Sequence, residues 1–157
     1  MLRWLWLGVL VLVLDQATKY LAVSGLDLHV PVAVLPSLNL TLTYNAGAAF
    51  SLLGDAGGWQ RWFFSAVSIG VSAGIVVWLH RLPREAGWLA CSLALVLGGA
   101  LGNLVDRIRI GAVVDFIDLY HAGWHWPAFN VADSAISIGA VMLLVSAFRP
   151  AVAEGGR

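Results

Sequence analysis

Apolar residues along this chain gather into four long blocks, separated by shorter stretches richer in polar residues, glycine and proline. A helix that crosses a bilayer needs about 20 mostly apolar residues. Four stretches reach that length: about Trp4 to Val23, Trp62 to Leu79, Ala86 to Val105, and Val131 to Phe148. Asp15 and Lys19 interrupt the first, and Asp133 lies near the start of the fourth. The second and third carry no charge, and Pro83 marks a tight turn between them. A different period appears in Leu38-Asn39-Leu40-Thr41-Leu42-Thr43-Tyr44, where strict alternation of β-favouring residues predicts a strand with one apolar face. Gly25, Pro31 and Pro36 punctuate the approach to it. The predicted fold is an all-α membrane protein: a four-transmembrane-helix bundle forming a single domain over residues 1–157, with a small external β-sheet.

Composition fits that pattern. Sixty per cent of the 157 residues are hydrophobic and 11% are charged, with a mean hydropathy of +0.84. A soluble domain carries about 25% charged residues, so this chain has about half the usual supply. Nine basic and nine acidic residues cancel. That balance excludes a nucleic-acid binder resting on bulk positive charge. High hydrophobicity without net charge excludes a disordered chain. The one cysteine, Cys91, cannot form an internal disulfide or a zinc cluster.

The first block has some features of a cleaved signal peptide: Arg3, an apolar run from Leu5 to Leu14, and Ala22-Val23-Ser24. Asp15 and Lys19 fall where such a peptide keeps its apolar core unbroken, so a retained span is expected. Orientation follows from the basic residues. Arg3, Arg81, Arg84, Arg149 and Arg157 fall on one side of four spans, and residues 24–60 contain no Lys or Arg. The positive-inside rule then puts both termini in the cytoplasm, with residues 24–60 and 106–130 external. Trp4, Trp6, Trp78 and Trp88 would belt the cytoplasmic ends, and Trp59, Trp62, Trp124 and Trp126 the external ends.

Ionisable groups within the bilayer are costly and are functional candidates by default. Asp15 and Lys19 share a helix face at i, i+4 and can pair, either to lock the first span or to serve a site. Gly98 and Gly102 permit close helix approach, and Asn103 and Arg107 are again i, i+4. Asn130 suits the N-cap of the fourth span, with Asp133 at N3, where a carboxylate favours the helix dipole. Asp115, between Val114 and Phe116, has no such structural role in view. Two aspartates converging in a dry site cannot both ionise easily, and such a pair can act as general acid and general base. His121 and His125, with Asp118 near, have a spacing that would suit a metal, but Gly123 and Pro127 argue against the helix it needs, and no metal or other cofactor is expected. His29 and His80 read as interfacial. Cys91, Ser51, Ser65 and Ser68 have no base at a suggestive spacing, which weakens a serine or cysteine nucleophile.

Taken together, these motifs resemble the bacterial lipoprotein signal peptidase (signal peptidase II) family. The resemblance rests on five blocks in order: Asp15-Gln16-Ala17-Thr18-Lys19, Asn45-Ala46-Gly47-Ala48-Ala49-Phe50-Ser51, the run from Gly98 to Arg107, Val113-Val114-Asp115-Phe116-Ile117, and Phe129-Asn130-Val131-Ala132-Asp133-Ser134. It implies an aspartic endopeptidase of the bacterial inner membrane, acting near the external face. Such an enzyme cuts the signal peptide from a prolipoprotein just before a cysteine carrying diacylglycerol. On the matching positions Asp115 and Asp133 would be the catalytic dyad. Asn45, Asn103, Arg107 and Asn130 would be polar supports, and Asp15 with Lys19 a nearby structural and functional pair. The outer sheet and a loop around Ala48 to Gly58 would cradle lipid and peptide. The stretches Asp55 to Gln60 and Leu119 to Trp126 fit no pattern of the family. The expected partners are prolipoprotein substrates and membrane lipid, with no nucleic acid, and the protein is expected to be a monomer. The alternative is a small transporter or channel using its intramembrane carboxylates. A relay of that kind wants polar groups through the membrane depth, whereas here the second span is bare.

Overall fold

The structure is a computed structural model that describes residues 1–47 and 57–148. A short 3-10 turn at Leu2–Trp4 leads into α1, Leu5–Gly25. There follow β1 (Val32–Leu35), β2 (Leu38–Asn45), α2 (Trp59–Arg81), α3 (Gly87–Ile110), β3 (Val113–His121), β4 (Trp124–His125) and α4 (Val131–Phe148). The four helices fall on the four apolar blocks, and each is long and apolar enough to cross a membrane. Residues 48–56, Arg149 and Arg157, used above for the cradle loop, a family block and the charge asymmetry, lie outside the described residues.

The largest difference in boundary is at α3, which continues past Val105 to Ile110. Asp106, Arg107 and Arg109 remain helical, and the helix stops at Gly111. That residue has a φ of +82°, a left-handed conformation that suits glycine at a helix C-terminus. The connecting segment expected from residue 106 therefore starts only at Gly111.

α3 is the centre of the bundle and packs on α1, α2 and α4. Of its apolar stretch 61% is buried, against 28%, 22% and 17% for α1, α2 and α4. Its small residues make this possible. A methyl group on Gly98 would meet the Gly8 carbonyl of α1, and one on Gly99 the Ala132 carbonyl of α4. One on Gly102 would come within 2.5 Å of the Asp15 carboxylate. The surface is inverted relative to a soluble protein. Leu21, Ile138 and Phe148 are exposed while Asp15 and Lys19 are buried, as expected where lipid is the surrounding solvent. The tryptophans divide between the two ends of the helices as the sequence predicts.

The sheet is antiparallel, in the order β1-β2-β3-β4, at the end of the bundle where α1 and α3 finish and α4 begins. Strand β2 lies where alternation predicts it, but its single apolar face does not survive. The register passes from Leu40 opposite Ile117 to Thr43 opposite Asp115, so one extra residue is bulged into β2. Buried positions Asn39 and Leu42 are then three apart, and Leu38 and Leu40 are only half-buried. Strand β3 was not expected as a strand, because Val113 to Phe116 are all buried and a strand covered on both faces shows no period of two. Its cover comes from α1 and α3. The stretch before α4 lies along it, with the Phe129 carbonyl accepting from the N–H groups of Phe116 and Ile117.

Two glycine substitutions test this packing. Gly102→Ala has no room beside Asp15 and is expected to destabilise by about 1–3 kcal/mol. Gly70→Ala, on a face of α2 where an added methyl meets nothing, should leave stability unchanged or slightly raised. Thermal unfolding in detergent checks both.

Candidate active site

Five elements bring their polar residues to one end of the bundle. α1 supplies Asp15 and Lys19, α3 supplies Asn103 and Arg107, β3 supplies Asp115, and the start of α4 supplies Asn130 and Asp133. Asn45 comes from the last position of β2, opposite Val113. The sequence-predicted residues are thus all brought together. Asp115 and Asp133 line a cavity of about 540 Å³, with Asn45, Asn103 and Arg107 also facing it. Its remaining wall is largely apolar, including Trp126, Phe129 and Ile138.

Lys19 organises the polar side of the site. Its ammonium lies 2.9 Å from Asp15 Oδ2, 2.8 Å from Asp106 Oδ2 and 2.9 Å from Asn103 Oδ1. An ammonium only donates, so it fixes which end of the Asn103 carboxamide faces it. The amide nitrogen of Asn103 then donates to Asp133 Oδ1 at 2.8 Å. Asn130 is fixed in the same way. Its Oδ1 accepts the Asp133 backbone N–H at 2.9 Å, which is the N-cap interaction the sequence predicts. Its Nδ2 donates to Asp115 Oδ1 at 2.7 Å and to the Val114 carbonyl at 3.2 Å. Asn45 also hydrogen-bonds the Asp115 carboxylate. Each carboxylate therefore has an oxygen held by a carboxamide of settled polarity.

Burial pushes the Asp115 carboxyl up from an ordinary 3.8 to about 7. The charge of Asp133 pushes the same way, while hydrogen bonds from Asn130 and Asn45 and the charge of Lys19 oppose both. Near neutral pH Asp115 is thus poised between acid and base. Arg107 stands over the ring of Phe64, 5.4 Å from its centre, and donates to the Gly47 carbonyl at 3.2 Å.

Two features were not anticipated. Asp106 has no role in the sequence argument, yet it is buried against Lys19. Its spacing of three from Asn103 would have put it on the same face, had the helix been read to Ile110. His125 and Asp118 belong, with His121, to the cluster whose spacing would suit a metal. Here His125 Nδ1 lies 2.8 Å from Asp118 Oδ1, and the other Asp118 oxygen accepts from Thr41 and Asn39. Burial works against the charge of Asp118, but these hydrogen bonds outweigh it and hold the carboxyl below its usual range. The pair ties β4 to β3, beside Trp126 on the cavity wall. Of the serines considered as nucleophiles, Ser65 donates back to the Arg61 carbonyl.

Two carboxylates converging on one cavity, with lowered acidity in one of them, are the equipment of an acid–base hydrolase. Comparison with known proteins is specific. Residues 7–149 match the family model described as signal peptidase (SPase) II, and the chain belongs to that family of aspartic proteases. A lipoprotein signal peptidase of Pseudomonas fluorescens (strain Pf0-1) is 56% identical over 150 residues, covering 94% of this chain and 88% of that one. A lipoprotein signal peptidase of Hydrogenovibrio crunogenus is 53% identical over 143 residues, covering 91% and 83%. A bacterial membrane enzyme solved by the in meso method at 2.3 Å resolution superposes with a TM-score of 0.83 at 32% identity, covering 92% of this chain and 87% of that one.

The raised Asp115 value predicts a pH effect on stability. A carboxyl that holds its proton more tightly when folded contributes stability that is fully present below pH 3.8 and is lost as pH rises through about 7. Asp115→Asn removes that loss. Between pH 4 and 7 the melting temperature of the wild type should therefore fall relative to Asp115→Asn, as read by thermal unfolding in detergent at a series of pH values.

Proposed function

We propose that the protein cuts signal peptides from bacterial prolipoproteins just before a diacylglyceryl-modified cysteine, with Asp115 and Asp133 as the catalytic dyad. The observation that carries this reading is the convergence of those two carboxylates on one cavity, each held by a carboxamide. One ionised carboxylate takes a proton from a water molecule, which attacks the scissile carbonyl. The other, protonated, hydrogen-bonds the developing oxyanion and then protonates the leaving amine. The two groups titrate as a pair. A value near 7 for Asp115 favours the state with one shared proton at neutral pH. Arg107 and Asn45 face the same cavity and supply donors for substrate carbonyls. Asn103 and Asn130 orient the carboxylates, and Asp15 with Lys19 supports them from behind.

The apolar wall of the cavity suits a diacylglyceryl tail. In this reading the whole chain forms one membrane domain and works as a monomer in the inner membrane. Both termini are cytoplasmic, and the sheet end of the bundle is external. The asymmetry of basic residues supports that orientation. A relay through the membrane finds little support. The polar groups around the dyad gather at the sheet end, and α2 carries no charge between Arg61 and Arg81.

Incubation of purified protein with a synthetic diacylglyceryl prolipoprotein tests the assignment. The wild type should release the signal peptide. Asp115→Asn and Asp133→Asn should each lose at least about 1,000-fold in kcat while still inserting in membranes. Retained turnover in both variants would remove the dyad assignment.

A further inference from the structure

The buried carboxylates beside Lys19 hold more than an ammonium. Asp15 Oδ1 accepts the backbone N–H of Ala132 at 2.9 Å, and Asp106 Oδ2 accepts the backbone N–H of Val114 at 3.2 Å. Ala132 immediately precedes Asp133, and Val114 immediately precedes Asp115. Lys19 bridges the two acceptors, at 2.9 Å from one carboxylate and 2.8 Å from the other. A single ammonium therefore ties together two arms, each ending on the backbone N–H of the residue just before one of the converging aspartates. Gln16 closes the clamp. Its Nε2 donates to Asp106 Oδ1 at 2.9 Å, to Asp15 Oδ2 at 3.2 Å and to the Gly102 carbonyl at 3.2 Å.

We infer that Asp106 is a positioning residue for the reaction, holding the Asp115 arm of the dyad as Asp15 holds the Asp133 arm, with Lys19 setting the distance between them. The inference rests on the proposed dyad. Helix packing alone does not call for this arrangement. A buried ion pair is seldom more stabilising than apolar residues of the same size. An apolar seam would also leave the N–H groups of Val114 and Ala132 without acceptors. Precise placement does call for it, since a displacement of about 1 Å costs about 100-fold in rate.

Charge gives the inference a signature. The groups facing the dyad are Asp15 and Lys19 on α1, Asp106 and Arg107 on α3, and the two aspartates on β3 and α4. α2 brings the uncharged Phe64 to Arg107, and its Arg61 donates instead to the Ile108 carbonyl. Asp106→Asn keeps an acceptor for Val114 but removes one negative charge, which favours ionisation of the dyad.

Steady-state cleavage of the diacylglyceryl prolipoprotein should show this across pH. For Asp106→Asn, kcat is expected to fall by about 10- to 100-fold with KM within about twofold. The high-pH limb of the kcat profile should move down by about one pH unit. Asp106→Glu restores the charge at the wrong reach, so its limb should return to the wild-type pH while kcat stays low. Gln16→Ala loosens the clamp without changing charge, and should lower kcat with the limb unmoved. A wild-type kcat in Asp106→Asn, or a lowered kcat with an unmoved limb, overturns the inference. If Asp106→Asn does not accumulate as folded protein, Gln16→Ala decides, and a wild-type kcat there overturns it. Turnover by Asp115→Asn would instead sink the dyad itself. An inactive Asp115→Asn beside an unaffected Asp106→Asn would sink only the positioning role.

Discussion

The burial of the Lys19 ammonium is the constraint on which the rest depends. A charge taken out of water needs both opposite charge and hydrogen-bond acceptors around it. Asp15 meets part of that need from the same helix, one turn away. Asp106 and Asn103 meet the rest from α3. α1 and α3 must therefore meet at one rotation and one height, and the glycines of α3 let them come close enough. The same ammonium fixes the polarity of Asn103, and so decides which group faces Asp133. Packing, helix register and site geometry all follow from one buried cation.

The placement of the carboxylates turns stability into chemistry. Asp133 sits in the first turn of α4, capped by Asn130, and that cap would occur in many helices. Here the capping residue has a second hand, since its amide also reaches Asp115 on a different element. Structural and chemical roles are therefore not alternatives at Asn130. The N-cap fixes the side chain's rotamer, and the fixed rotamer aims the donor. Asp115, by contrast, lies in a strand buried on both sides, and burial, with the charge of Asp133 behind it, raises its hold on a proton.

The sequence exposes what depends on local pattern. Four apolar blocks become four helices, and the polar site residues picked from the motif blocks converge because rare polar groups in apolar surroundings have few places to go. The i, i+4 pair of Asp15 and Lys19 was readable for the same reason, since a helix places both on one face. Nonlocal features were hidden. The bulge in β2 reverses which of its leucines is buried, and nothing in a strictly alternating stretch announces it. β3 hides because a strand covered on both faces loses its period. Asp106 hides because helix ends are blurred by charge, and its partners lie about 90 residues away on α1.

That last omission shows where a short motif misleads. A run of Asn, Asp and Arg at the end of a span invites a division into anchors and site residues by type. The fold divides them by rotation instead. Asn103 and Asp106 face Lys19, and Arg107 turns toward Phe64 and Gly47. Arg109, two residues on, is exposed. Within seven residues of one helix, the same polar character serves the buried clamp, the cavity and the surface. The helix rise and twist, with Gly102 admitting the Asp15 carboxylate between α1 and α3, assign each residue its task.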